Sequence, residues 1–191
     1  MTTNELPSTA STQTTDVLLP GLVEPSGLQI RHRTLPAPAA GQALVQVEAS
    51  GVSFAEQGMR RGRYPGQPAF SFVPGYDLVG TVRSVGPGVP EEWIGTRVCA
   101  VTKIGGWATH VLIATDTLVP VPPGLDPALV ETVLVNGVTA WQMLYRNARV
   151  KAGQTILVHG ATGAWARFSV RSLCTAESGS SVPPRLDTTT H

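Results

Sequence analysis

The chain has 191 residues, 42% of them hydrophobic, which is enough apolar material for a folded protein with a core of its own. Only 14% of the residues are charged and the net charge is +1, so neither nucleic acid nor an anionic membrane surface is an expected partner. Two isolated cysteines, without a CxxC pair, exclude a disulfide framework.

The N-terminal segment indicates neither export nor membrane insertion. Residues 1–15 are rich in Thr and Ser and lack the basic and apolar regions of a signal peptide. No apolar run in the chain approaches the length of a membrane-spanning helix. We therefore expect residues 1–15 to be a disordered leader, with structure beginning at Asp16, and the protein to be cytoplasmic.

Residues 16–125 form a series of short apolar runs separated by turn residues. The chain contains 20 Gly and 16 Pro residues, as expected for many short strands, and Val45-Gln46-Val47-Glu48 alternates apolar and polar residues like a half-buried strand. Such a series indicates a small barrel or sandwich. The pattern predicts a short helix over 53–59 and strands over 17–19, 28–33, 43–50, 78–85, 94–101 and 107–113.

The character of the chain changes after residue 125. Asp126 is a helix-capping residue and Pro127 suits the first helical position, so a helix should begin here. Gly137 is expected to end it, and a second helix should begin at Val138. The predicted fold class is α+β, with residues 126–164 as a helical connector that leads into an incomplete α/β unit.

A glycine turn follows the connector. Ile156, Leu157 and Val158 form a continuous apolar run that suits a buried parallel strand, and Gly160 and Gly163 come where a strand would pass into a helix. Glycines at this point allow the backbone to approach a pyrophosphate. The pattern predicts the opening of a dinucleotide-binding unit, with an ordinary loop as the alternative.

Several motifs together resemble the zinc-free quinone oxidoreductase branch of the medium-chain dehydrogenase/reductase superfamily. They are Gly51-Val52-Ser53-Phe54-Ala55-Glu56, Gly62-Arg63-Tyr64-Pro65-Gly66, Phe72-Val73-Pro74-Gly75-Tyr76-Asp77-Leu78-Val79-Gly80, Gly86-Pro87-Gly88-Val89, Val135-Asn136-Gly137-Val138-Thr139-Ala140-Trp141 and the segment from Gly153 to Gly163. The resemblance implies a GroES-like β-barrel catalytic domain over 16–125, followed by a Rossmann domain. It also implies NADPH as cofactor and hydride transfer to a small-molecule quinone or enone.

The resemblance also implies roles for particular residues. Ser53 and Tyr64 would line the catalytic pocket and Thr139 would contact the nicotinamide. The residues expected to hold the pyrophosphate are Gly160, Ala161, Thr162, Gly163 and Ala164.

Two of these assignments have structural alternatives. Ser53 is equally suited to cap the helix that follows it, and Tyr64 could pack its ring beside Pro65. Glu56 is expected to orient its loop rather than to act as an acid. The arginines at 60, 61 and 63 are interpreted as a solvated face, with attraction of a phosphate as the alternative.

No metal is predicted. Ser53 stands where zinc-dependent members of the superfamily have a cysteine, and Gly75-Tyr76-Asp77 stands where they have Gly-His-Glu. The four histidines, His32, His110, His159 and His191, lack metal-ligand spacing. A catalytic zinc would therefore find neither thiolate nor imidazole at these positions.

The resemblance ends abruptly after Ala164, where Trp165 begins an atypical segment. We expect residues 165–191 to be disordered and hypothesise that the downstream sequence of a longer reductase has been replaced there. The expected function is an NADPH-dependent oxidoreductase, present as a truncated form that is inactive alone. The alternative is a catalytically silent GroES-like interaction module or a non-functional fragment, with a homo-oligomer or an intact homologue as the possible association.

Overall fold

The computed structural model describes residues 11–151, 153–160 and 163. Its helices are α1 (Phe54–Arg60) and α2 (Pro127–Trp141), and a π-helical segment, Gln142–Asn147, follows α2. The strands are β1 (Thr12–Leu18), β2 (Gln29–Leu35), β3 (Gln42–Ala49), β4 (Asp77–Val85), β5 (Arg97–Val101), β6 (His110–Ala114) and β7 (Val119–Pro120). The predicted α+β class is confirmed, and no helix among the described residues is long and apolar enough to cross a bilayer.

The chain divides into two compact units between Glu131 and Thr132, inside α2. The first unit contains all the strands named above, together with α1 and the first residues of α2. The second unit contains the rest of α2 and the π-helical segment. The predicted boundary between residues 125 and 126 stays a prediction.

The first unit is built on a five-stranded antiparallel sheet with the order β6-β3-β4-β5-β7. β3 and β4 are neighbours in the middle of this sheet, and most of their apolar side chains are buried. Each fully buried Val or Leu contributes about 1.5–3 kcal/mol. The core cluster consists of Ala43, Val45, Leu78, Val82, Val98, Ala100 and Leu118.

Gly80 allows the two central strands to approach each other closely. A Cβ at this position would lie 2.3 Å from the Gln46 carbonyl oxygen and 2.7 Å from Cγ1 of Val45. Both values are shorter than any tolerable carbon contact. The resemblance motif that ends at Gly80 therefore has a steric basis in the sheet.

β1 and β2 form a separate antiparallel pair, and β1 begins at Thr12, before Asp16. This corrects the predicted extent of the leader, of which residues 1–10 lie outside the described part. Residues 12–15 are polar, which suggested disorder, but most of them are threonine, a β-branched residue type that favours β structure. Thr14 is buried, and its hydroxyl donates to the His110 carbonyl oxygen at 3.1 Å.

Asp16 is the buried charge of this strand pair. Its carboxylate accepts hydrogen bonds from Arg31 Nε and Nη2, both at 3.0 Å, and from Arg33 Nε at 2.6 Å. Burial alone would raise the pKa of Asp16, but the hydrogen bonds and positive charges of the two arginines outweigh it and lower that pKa. The pair of strands is thus joined by charge as well as by its ladder.

α2 differs from its prediction at Gly137. The predicted cap is present, since Asp126 Oδ1 accepts from the Leu129 backbone N–H at 3.0 Å. However, the helix continues through Gly137 to Trp141 instead of ending there. A single glycine inside a helix costs only about 1 kcal/mol relative to alanine, which the neighbouring helical hydrogen bonds offset.

The predicted strand over Ile156–Val158 is not formed in the described stretch 153–160, which has turn and irregular backbone. The Leu157 side chain is 81% exposed. A parallel strand needs neighbours on its edges and cover on its faces, and local sequence cannot supply either. Ala161, Thr162, Ala164 and the predicted tail, 165–191, lie outside the described residues.

Candidate functional site

Ser53 begins the helix that carries much of the site. Its hydroxyl oxygen accepts from the Ala55 backbone N–H at 3.0 Å, and its extended backbone makes it the N-cap of α1. Its hydroxyl also donates to Glu56 Oε2 at 2.5 Å. Ser53 therefore has the capping role that was the alternative to its pocket role.

Glu56 connects α1 to the start of β4. It is 3% exposed; Oε2 accepts from the Ser53 backbone N–H at 2.8 Å and Oε1 accepts from the Tyr76 backbone N–H at 2.9 Å. The carboxylate thus satisfies two backbone donors, one of them from a segment 20 residues further along the chain. This geometry agrees with the prediction that Glu56 orients its loop.

Tyr64 and Tyr76 form a pair of phenols. Their ring centroids are 6.2 Å apart with an interplanar angle of 78°, and the Tyr64 hydroxyl donates to the Tyr76 hydroxyl at 3.3 Å. That hydrogen bond, together with burial and the nearby Tyr76 and Glu56, raises the pKa of Tyr64 to about 12. Tyr64 therefore keeps its proton at neutral pH, and the Tyr76 hydrogen is left to donate to another oxygen.

Asp77, at the start of β4, is paired with the half-buried carboxyl of Glu131 in α2. Asp77 is 6% exposed, and burial followed by a hydrogen bond shared with Glu131 raises the pKa of Asp77 to about 7. The Glu131 carboxyl also lies against Gly51, where a Cβ would come within 2.1 Å of Oε1. The Asp77 carboxyl is therefore about half protonated at neutral pH, because burial and the neighbouring carboxylate both disfavour its charged form.

Arg60 is the residue of α1 that sequence reasoning placed incorrectly. It was interpreted as part of a solvated face with Arg61 and Arg63, but only those two are exposed, whereas Arg60 is 7% exposed. Its Nη1 donates to the Val23 carbonyl oxygen at 2.6 Å and to Glu24 Oε2 at 3.2 Å. The signal that could have found it is spacing: Arg60 follows Glu56 by four residues and so shares its face of the helix.

Two glycine-containing segments, residues 74–77 and 106–107, lie in close backbone contact. Gly106 N donates to the Gly75 carbonyl oxygen at 3.1 Å and Trp107 N donates to that of Pro74 at 3.0 Å. A Cβ on Gly75 would lie 2.4 Å from the Trp107 nitrogen, and one on Gly106 would lie 2.7 Å from the Asp77 carbonyl oxygen. We refer to this contact between residues 74–77 and 106–107 as the glycine crossing.

Comparison with known proteins places this arrangement in a family. Residues 39–123 match the family model described as the alcohol dehydrogenase GroES-like domain. Over 130 residues the chain is 40% identical to quinone oxidoreductase of Rattus norvegicus, a match that spans 68% of this chain and 40% of the relative. It is also 38% identical over 144 residues to the phthioceranic/hydroxyphthioceranic acid synthase of Mycobacterium tuberculosis (strain ATCC 25618 / H37Rv), covering 75% of this chain and 7% of that protein.

The quinone oxidoreductase of Thermus thermophilus, solved with NADPH, superposes with a TM-score of 0.68 and 30% identity. The match covers 83% of this chain and 49% of that one. The chain belongs to the quinone oxidoreductase-like branch of the medium-chain dehydrogenase/reductase superfamily. It spans less than half the length of these two quinone oxidoreductases.

Ser53 and Tyr76 occupy positions where zinc-dependent members of the superfamily have metal ligands. In this chain Ser53 donates a hydrogen bond to Glu56, and Tyr76 accepts one from Tyr64. Among residues 11–151, 153–160 and 163, no three His, Cys, Asp or Glu side chains are close enough together to hold a metal ion. The prediction that the chain works without zinc rests on these residue types and stays a prediction.

The nucleotide part of the branch is not reproduced by the described residues of the glycine turn. Gly160 has a left-handed φ of 65°, and the Gly163 N–H donates to the Gly160 carbonyl oxygen at 2.8 Å. No strand precedes this turn in residues 153–160. Because Ala161, Thr162 and Ala164 lie outside the described residues, the assignment of this turn to a pyrophosphate stays a prediction. Thr139, the expected nicotinamide contact, is an exposed residue of α2 in the second unit.

Proposed function

We propose that this chain supplies the substrate-binding part of a zinc-free quinone or enone reductase. The observation that carries the proposal is the hydrogen-bonded set formed by Tyr64, Tyr76, Glu56 and Ser53, in a domain whose relatives include named quinone oxidoreductases. It combines neutral phenol donors with a rigid anchor and contains no thiolate. Such a set suits the polarisation of a substrate carbonyl by hydrogen bonding instead of by a metal.

The donor in this proposal is the tyrosine pair. Tyr64 donates to Tyr76, which leaves the Tyr76 hydrogen for the carbonyl oxygen of a quinone or enone, and the raised pKa of Tyr64 keeps the Tyr64 phenol protonated. Ser53, by contrast, already gives its hydroxyl hydrogen to Glu56. Ser53 and Glu56 therefore position the loop, and the phenols contact substrate.

NADPH is the proposed cofactor of the complete activity. The support comes from relatives: the quinone oxidoreductase of Thermus thermophilus and mycobacterial Rv1454c, which is 27% identical with a TM-score of 0.73, were both solved as complexes with NADPH. Because no strand precedes the glycine turn among the described residues 153–160, we expect this chain alone to bind NADPH weakly. A fluorescence titration of NADPH with the 191-residue chain tests this, and micromolar binding would contradict it.

The substrate role is tested by supplying the rest of a relative. A chimera would join residues 1–160 to the matching remainder of rat quinone oxidoreductase, and NADPH-dependent reduction of a quinone would be followed by the loss of NADPH absorbance. Replacing Tyr76 or Tyr64 with Phe should each lower kcat/KM by about tenfold or more, as expected for loss of a hydrogen bond to a developing oxyanion. Activity unchanged by both substitutions, in chimeras of unchanged melting temperature, would refute the proposal.

An interaction module is the second candidate. The second unit exposes Val133, Val138 and Trp141 on α2 at 48–55%, and apolar side chains grouped on one element are common at association surfaces. The proposed partner is a second copy or an intact homologue. Light scattering on the purified chain tests this candidate, since a monomer at all concentrations, with no complex formed with a homologue, would contradict it.

A further inference from the structure

β2 is an outer strand of the first compact unit. On one side β1 contacts the segment before β6: the Val17 N–H donates to the Trp107 carbonyl oxygen at 2.9 Å. The Thr109 N–H likewise donates to the Thr15 carbonyl oxygen at 2.9 Å. On its other side β1 pairs with β2, and β2 has no further strand beside it among the described residues. β2 therefore has one unpaired edge, seven residues long, which we call the free edge.

The hydrogen bonds of β1 determine which backbone groups point into the free edge. Residues that face each other in an antiparallel pair either exchange both backbone hydrogen bonds or exchange none. Thr15 and Val17 direct their backbone groups to the segment before β6, so they exchange none with β2. Their partners in β2 are His32 and Ile30. The N–H and C=O groups of Ile30 and His32, and by the same alternation those of Thr34, therefore point away from β1.

The free edge is open to pairing with another strand, except for its charge. Proteins usually protect an edge strand with a proline, a bulge or charged side chains. β2 contains no proline, its register with β1 is continuous, and Ile30 is 65% exposed. What remains is the charge of Arg31 and Arg33. If two copies of β2 paired antiparallel about His32, Arg31 would lie opposite Arg33, and this repulsion disfavours a second copy as the partner.

The same charge favours an acidic partner. Arg31 and Arg33 both donate to the single carboxylate of Asp16, and these three are the charged residues of β1 and β2, so one positive charge is not compensated within the pair. The two arginine side chains are 42% and 40% exposed, which leaves them accessible to a second carboxylate. A strand added beside β2 would place alternate side chains about 5 Å from them. Acidic residues fit those positions, and apolar residues fit the positions beside Ile30.

We propose that the free edge of β2 binds an extended acidic segment of a partner protein as an additional strand, with carboxylates beside Arg31 and Arg33. The outward backbone groups of Ile30, His32 and Thr34 supply the affinity, and the arginines supply the specificity. The surface contains neither the tyrosine pair nor any residue of α2. It therefore stands or fails independently of the proposed reductase activity and of association through α2.

Amide hydrogen exchange tests the proposal in the ¹⁵N-labelled, full 191-residue chain. The probe is a blocked peptide of sequence TVEVEVT, which alternates apolar and acidic residues, and the matched control is TVKVKVT, with the opposite charge. With saturating TVEVEVT, the amides of Ile30, His32 and Thr34 should exchange about tenfold more slowly or less, because they become hydrogen-bonded. The amides of Arg31 and Arg33 already bond to β1 and should not change.

At low salt the acidic peptide should bind about tenfold more tightly than the basic one, and the difference should shrink as salt is added. Equal affinity for the two peptides, or uniform protection over residues 30–34 in place of the alternating pattern, would overturn the proposal. So would the alternating protection appearing without peptide and increasing with protein concentration, because the occupant would then be a second copy of the chain.

His32→Pro removes one of the outward N–H groups. Proline is tolerated in an edge strand where the missing N–H would face solvent, so this variant should fold but lose binding of the acidic peptide. The matched control is His32→Val, which loses the same side chain but keeps the N–H and should bind as the unmodified chain does. Undiminished binding by a folded His32→Pro variant would refute strand addition. If His32→Pro does not fold, the exchange pattern of the unmodified chain decides the question by itself.

Discussion

Replacing Glu56 with Gln tests whether its carboxylate joins α1 to β4. The two side chains have the same shape, but Gln has an NH₂ group in place of one oxygen. In the folded chain Oε2 accepts from the Ser53 backbone N–H and Oε1 from the Tyr76 backbone N–H, at 2.8 and 2.9 Å. Whichever way the amide is turned, one of these backbone donors faces another donor.

The expected cost follows from that mismatch. A buried donor left without an acceptor costs about 1–3 kcal/mol, and hydrogen bonds to a charged acceptor are the stronger kind. With Glu56 at 3% exposure, water cannot replace the lost acceptor. We expect Glu56→Gln to lower the free energy of unfolding by about 2–3 kcal/mol and the melting temperature by roughly 5–10 °C.

Urea unfolding followed by tryptophan fluorescence measures this change, provided that the m-value is the same in both proteins. The control is Glu92→Gln at an exposed position, where a change within about 0.5 kcal/mol is expected. If Glu56→Gln is as stable as Glu92→Gln, the carboxylate does not hold the two segments together and our account of the site is wrong.

Three further results are expected. Ser53→Ala should lower the free energy of unfolding by about 1 kcal/mol through loss of the cap, while Ser53→Asn, which retains a capping side chain, should restore most of it; equal melting curves for the two would contradict this. Because burial and Glu131 raise the pKa of Asp77 to about 7, the folded state keeps a proton that the unfolded state loses near pH 4. The free energy of unfolding should therefore contain a contribution that decreases between about pH 4 and 7, and Asp77→Asn should remove that decrease in urea titrations at stepped pH. Gly80→Ala should cost more than about 2 kcal/mol because its Cβ would meet backbone, whereas Gly21→Ala, with open space around it, should be nearly neutral by the same measurement.

The sequence predicted those parts of the fold that depend on local chemistry. The strand predicted over 43–50, the cap at Asp126 and the capping alternative for Ser53 are all present, because each depends on residues within a few positions of one another. The succession of short strands in the first unit was predicted for the same reason. The class of the fold therefore followed from pattern alone.

The errors concern features that depend on distant partners. The threonines at 12–15 form a strand because β2 pairs with them, and Arg60 is buried because Val23 and Glu24 receive its guanidinium. The apolar run at 156–158 was predicted to be a strand, yet the described residues give it no neighbour. Local composition contains no information about such partners, which is why polar or charged segments were assigned to solvent.

The glycine crossing limits how the site around the tyrosine pair could be remodelled by laboratory evolution. Its backbones lie too close together for any side chain at Gly75 or Gly106, so mutant libraries that include these two positions would consist mainly of unfolded variants. Diversity is better placed at positions 64 and 76, where the phenol rings are only half-buried and pack against side chains instead of backbone. New specificity in this scaffold should therefore come from exchanging rings on a fixed backbone rather than from reshaping the loop that carries them.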